Sequence, residues 1–219
     1  MRKIFALALM AAITMIGSAS AQIVINEVLG STTGGDTEFI ELFNNSAAAV
    51  DISGFTIEEV ESDPGAANGT VDDTWTVAAG TTIQPFGFFL IGNTTFETAF
   101  GLTSDQTEPL SIENSSYSLV LSDALGATQF TVFSNDGDGV VPAGLTPNIS
   151  VGPDGAFAPA GFFLDTDGGS TASFLEFAPI PAASATPGFS NVPTSVVPEP
   201  SSLALLGLIG LAGVVRRRR

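Results

Sequence analysis

The chain has 219 residues, with 23 Asp and Glu against 6 Lys and Arg, and neither His nor Cys. The cations are Arg2, Lys3, Arg216, Arg217, Arg218 and Arg219, so the chain from Ile4 to Val215 carries no positive side chain. That distribution excludes nucleic acid as a partner, because phosphate binding rests on cations that displace counterions. It also excludes disulfides, thiol chemistry, serine-histidine catalysis and a lysine-bearing phosphate loop. A carboxylate-pair glycosidase needs only two acids at a set separation, but any pair drawn from so many acids is weak evidence. A non-enzymatic role is expected.

Arg2 and Lys3 precede the apolar run "IFALALMAAITMI", and small Ala19 and Ala21 follow in "GSASA". These three parts form a secretory signal peptide over 1–21, cleaved after Ala21. Export through the Sec translocon is expected.

Residues 22–191 are read as one domain of short strands. "IVINEVL" is rich in β-branched residues, and "TEFIELFN" alternates imperfectly, with Glu38 and Glu41 on opposite faces if it is a strand. "VDISGFTIEE" alternates better, and Gly54 inside it suggests a bulge. "DTWTVAAGTTIQPFGFFLIGN" holds two or three strands, with one helical turn at "TTFETAF". "SYSLVLSDALGATQFTVF" reads as a hairpin turning at "SDALGA". Later strands are expected at "GAFAPAGFFLD" and "SFLEFA". Short strands at near-regular spacing, separated by turn residues, predict an all-β sandwich.

Two acidic loops are candidate calcium sites, Asp136 and Asp138 in "NDGDG" and Asp165 and Asp167 in "DTDGGSTASFLE". The second loop has acids at positions one, three and twelve of an EF-hand, but Ser170 stands where that loop needs glycine. Asp and Gly also dominate turns for backbone reasons, so both loops are read chiefly as turns. No cofactor is expected, with calcium as the alternative. Glu58, Glu59, Glu61 and Asp63 are read as a solvated strand end.

Residues 192–197 form a linker. The apolar run Leu203 to Val215 covers about 20 Å as a helix, against about 30 Å of hydrocarbon. It is a short transmembrane segment, held with Arg216, Arg217, Arg218 and Arg219 on the cytoplasmic side. "VPEPSSLALLGLIGLAGVVRRRR" resembles the PEP-CTERM sorting signal of Gram-negative bacteria. The resemblance rests on Pro198, Glu199 and Pro200, then the helix 203–215, then the basic tail 216–219. It implies recognition by an exosortase, transient insertion in the inner membrane, removal of the tail, and transfer to the cell surface, outer envelope or exopolymer matrix.

A second resemblance lies in the body. Ile25, Asn26, Glu27 and Val28, then Glu38 to Asn44, then Val50 to Phe55 resemble the opening of the lamin-tail domain, and "ATPGFSN" (Ala185 to Asn191) is similar to its close. The family implies an immunoglobulin-like β-sandwich and does not imply catalysis. The function expected is an exported structural or adhesive surface module, with extracellular polymer or surface proteins as partners. The alternative is a calcium-dependent binder of extracellular polysaccharide or matrix.

Overall fold

The computed structural model describes residues 22–30, 37–153, 161–175 and 185–192. The signal peptide with Ala19 and Ala21 lies outside the described residues. So do 193–219, with Pro198, Glu199 and Pro200 and with the basic tail of Arg216, Arg217, Arg218 and Arg219.

Two sheets face one another. The larger has the order β13 (Ala172–Leu175), β12 (Gly161–Leu164), β1 (Ile23–Leu29), β2 (Phe39–Asn44), β7 (Phe88–Gly92) and β8 (Gln106–Thr107). The smaller has the order β11 (Ile149–Val151), β10 (Thr128–Ser134), β9 (Tyr117–Ser122), β4 (Thr56–Glu61) and β5 (Val71–Thr76). Within the two sheets, neighbours are antiparallel except β7 with β8 and β10 with β11. A two-stranded ribbon pairs β3 (Val50–Asp51) with β6 (Thr82–Ile83). Apolar residues from both sheets, among them Val28, Ile40, Leu42, Ile91, Ile57, Leu119, Leu121 and Val132, make one buried core. The chain is thus an immunoglobulin-like β-sandwich.

The larger sheet is covered on its outer face as well. Leu29, Phe39 and Leu90 pack there with Phe96 of the short helix α1 (Phe96–Phe100) and with Leu175. The Phe39 ring meets the edges of Phe96 and Phe100, each at 5.6 Å. Burial on both faces removes the alternation a one-sided strand would show. This is why "IVINEVL" and "FIELFN" read as almost continuous apolar runs, with every residue of β1 and β2 buried. Glu38 and Glu41 do face opposite ways. Glu38 accepts the amide of core residue Ile112, and Glu41 accepts that of Gly188 beyond the outer face.

The run "VDISGFTIEE" differs from the expected bulged strand. It breaks into β3 and β4 at a turn in which Asp51 accepts the Ser53 amide at 2.9 Å and Gly54 adopts φ 74°. That left-handed conformation suits glycine and strains a residue with a Cβ. Ser53 Oγ then accepts the amides of Gly80 and Thr81, fastening the turn to the next loop. Asp165 to Thr171 closes a tight hairpin between β12 and β13, with the Asp165 amide bonded to the Thr171 carbonyl.

Candidate functional site

Two groups of carboxylates stand out. The first lies on the outer face of the larger sheet, where Glu27 and Glu41 are direct cross-strand partners and both are fully buried. A β-bulge at Asn26 sets this register, because Ile25 pairs with Leu42 and Glu27 with Glu41. Bulges re-aim side chains, and this one frees Asn26 to reach sideways. Its amide nitrogen donates to Glu41 at 2.9 Å and to Asp167 at 3.1 Å. Like charges directly opposite on a sheet repel, so the pair needs donors. The closing segment 185–192 supplies them. The Thr186 amide reaches both oxygens of Glu27 at 3.0 and 3.1 Å, and the Gly188 amide reaches Glu41 at 2.6 Å. Asp167 accepts from the Ser190 hydroxyl and the Asn191 amide, and Asn191 donates to the Leu164 carbonyl at 3.0 Å. Burial raises Glu27 to about 7 and Glu41 to about 8, against the opposing pull of these hydrogen bonds. The arrangement is a clasp that binds the chain's closing segment across the sheet.

The second group lies at one end of the smaller sheet. Alternation from core residue Ile57 points Glu59 and Glu61 inward. A bulge on β5 leaves Asp72 as an extra residue, since Glu59 pairs with Asp73 and Val60 with Val71. Carboxylate oxygens of Glu61, Asp72 and Glu113 lie within 4.8 Å of one another, and those of Asp63, Asp136 and Asp138 do likewise. Glu59 is fully buried. One of its oxygens accepts the Glu113 amide at 2.7 Å and the other has no hydrogen-bond partner. Burial first, then the charges of Glu113, Asp73 and Asp72, raises Glu59 to about 8. Burial and the neighbouring Glu61 and Asp72 raise Glu113 as well. Asp136 is held low by the Ser116 hydroxyl, and Asp138 is raised by Asp136 beside it.

The sequence-predicted acids therefore part company. Asp136 and Asp138 come together with Asp63 in the second group. Asp167 belongs to the clasp, and Asp165 accepts the Ser173 hydroxyl in the β12–β13 hairpin. Of the four candidate calcium ligands, only the acids of "NDGDG" join a cluster with metal-ligand spacing among the described residues. Glu59 corrects the expectation of a solvated strand end, because its neighbour Ile57 fixes it to the inner face. Continuing the alternation of Ile57 by two residues would have found it.

A family model of the lamin tail domain matches residues 17–140. The chain belongs to the lamin tail domain family. A second model, the PEP-CTERM protein-sorting motif, matches residues 196–219. That match takes in Pro198, Glu199 and Pro200 at its start and Arg216, Arg217, Arg218 and Arg219 at its end. No curated protein matches the chain. The sorting motif marks an exported protein, recognised by exosortase and directed to the surface or beyond. The lamin tail match covers β1 to β10, while β11, β12, β13 and the closing segment lie past its end. The family's opening motifs carry the clasp glutamates and Asn44, whose side chain reaches the carbonyls of Ala48, Ile83 and Gln84. These residues hold the lamin tail sandwich together at buried positions.

Proposed function

We propose that the chain is a non-enzymatic structural or adhesive module of the cell surface or exopolymer layer. In this reading the lamin tail sandwich is the working part and the C-terminal signal is its address. The observation that carries the reading is the sorting motif at 196–219, which follows directly after a sandwich whose closing segment is clasped. A chain fixed at its C-terminal side passes load into the sheet through Thr186 and Gly188 rather than into a loose tail. Composition supports the absence of catalysis, since Ile4 to Val215 offers no His, Cys, Lys or Arg for a nucleophile, base or oxyanion clamp. In this reading the Sec translocon carries the chain out, cleavage follows Ala21, and residues 192–197 space the sandwich from the sorting motif. Arg216, Arg217, Arg218 and Arg219 hold the tail on the cytoplasmic side until it is removed.

The test is the intact mass and location of the protein in its own host. Wild type is compared with a Pro198→Ala, Glu199→Ala, Pro200→Ala variant. The wild type is expected in the surface fraction without its last two dozen or so residues, and the variant in the inner membrane with its tail. A tail retained by both proteins contradicts the reading and makes the chain a permanently anchored domain.

A further inference from the structure

We propose that Glu61, Asp72 and Glu113 form a calcium site at the open end of the smaller sheet, with the free oxygen of Glu59 behind it. The proposal concerns the sandwich alone and stands independently of the sorting reading.

Three carboxylates within 4.8 Å of one another repel, and no cation exists between Ile4 and Val215 to offset them. Exposed acids often sit close without a ligand, so the triad does not carry the argument by itself. The second observation is behind it. Glu59 is fully buried and turned inward toward the same end, with its first oxygen on the Glu113 amide and its second without a partner. The Tyr117 hydroxyl and Ser134 Oγ are buried beside each other at this end. Both residues sit in register with Glu61 across β4, β9 and β10, so these groups converge on one end of the interior. Buried polar groups in native proteins are satisfied, so the unpartnered Glu59 oxygen, beside Glu113 and Asp72, points to a cation.

The chemistry of the donors selects the ligand. Every side-chain donor at the site is oxygen, and the chain has neither His nor Cys, which disfavours zinc and other nitrogen- or sulfur-seeking metals. The ligands come from two strand ends and a loop, a pliable set that suits calcium better than the strict octahedron of magnesium. Glu61 already accepts the Asp63 amide, Asp72 the Thr70 hydroxyl, and Glu113 the Ser115 hydroxyl. Each keeps a second oxygen outside those bonds. The neighbouring triad is less in need of an ion. Asp63 accepts the Ser116 amide, and Asp136 accepts both the Ser116 hydroxyl and the Asp138 amide.

The experiment is calorimetric titration of the full chain, purified in neutral detergent and stripped with chelator, at pH 7. One calcium per chain is expected, with a dissociation constant of about 10⁻⁴ to 10⁻³ M, as for extracellular modules. Magnesium should bind at least about tenfold more weakly. Asp72→Asn, at an exposed position, should keep its melting temperature in chelator and lose at least about tenfold in affinity. Glu113→Gln reports on the same site from the loop. Asp138→Asn should bind like wild type. Absence of calcium heat up to about tenfold above that range, or wild-type affinity in both Asp72→Asn and Glu113→Gln, would overturn the proposal. Loss of binding in Asp138→Asn alone would also overturn it, by moving the ion to the neighbouring triad.

Discussion

The clasp and the acidic end use the same side chain and treat it in opposite ways. Glu27 and Glu41 are buried face to face, yet hydrogen bonds reach both oxygens of each, from Thr186, Asn26 and Gly188. Glu59 is just as buried, but one oxygen is left over and its nearest charges are all negative. The contrast teaches that burial of a carboxylate is not by itself informative. What matters is how many of its lone pairs the fold supplies. Where all are supplied, the group is a structural fastener, and where one is withheld, the fold has left room for something else.

The largest effect should come from breaking the clasp. Asp167→Ala removes the acceptor shared by Asn26, Ser190 and Asn191, and it leaves a buried asparagine short of a partner. A loss of about 2–3 kcal/mol is expected, read as a fall in melting temperature of several degrees. Hydrogen exchange at the Thr186 and Gly188 amides should accelerate with it. Unchanged exchange there would mean that the closing segment is held by packing alone.

Next in size is the response to pH. Glu27, Glu41 and Glu59 have folded values of about 7, 8 and 8, all above the ordinary value of 4.5. Between about pH 4.5 and 8 the folded chain therefore binds more protons than the unfolded one, and stability falls as pH rises through that window. A decrease on the order of a few kcal/mol from about pH 5 to about pH 8.5 is expected in denaturant melts without calcium. A profile that rises over this range would contradict both groups' assignments.

A smaller pair of changes separates the two groups. Glu59→Gln keeps a carbonyl oxygen for the Glu113 amide and removes the buried charge, so it should stabilise the chain by roughly 1 kcal/mol at about pH 8.5 and leave its stability at about pH 5 unchanged. Glu41→Gln replaces one of two acceptors with a donor. It should destabilise by about 1 kcal/mol at about pH 5, because the amide nitrogen, unlike the carboxyl hydroxyl oxygen that Glu41 carries there, cannot accept, so either Gly188 or Asn26 loses its bond. The smallest effect is that of exposed Asp138→Asn, expected within about 0.5 kcal/mol.

Much of the fold was legible because its signals are local. Strand periodicity, the "SDALGA" turn and the opening motifs sit in short stretches of sequence, and the hairpin β9–β10 turns where those residues place it. The β3–β4 break was less legible, since Gly54 serves a bulge and a left-handed turn equally well until Asp51 and Ser53 are seen to cap it. The candidate sites depend on contacts far apart in the chain. Glu27 meets Thr186, and Glu59 meets Glu113, so no spacing rule could join them. Asp165 and Asp167 looked alike as loop acids, but a hairpin sends one to Ser173 and the other to the clasp. The bulges at Asn26 and Asp72 were invisible for the same reason, because a bulge is defined by the partner strand.

The most direct test of this contrast is a carboxylate-detected NMR titration of Glu27, Glu41 and Glu59, run with and without calcium. Without calcium, all three should titrate well above the ordinary range, at about 7 to 8. With calcium, only Glu59 should fall, while the clasp pair stays in place. Three ordinary values, or a common shift of all three on adding calcium, would contradict the account of one satisfied and one open group of buried carboxylates.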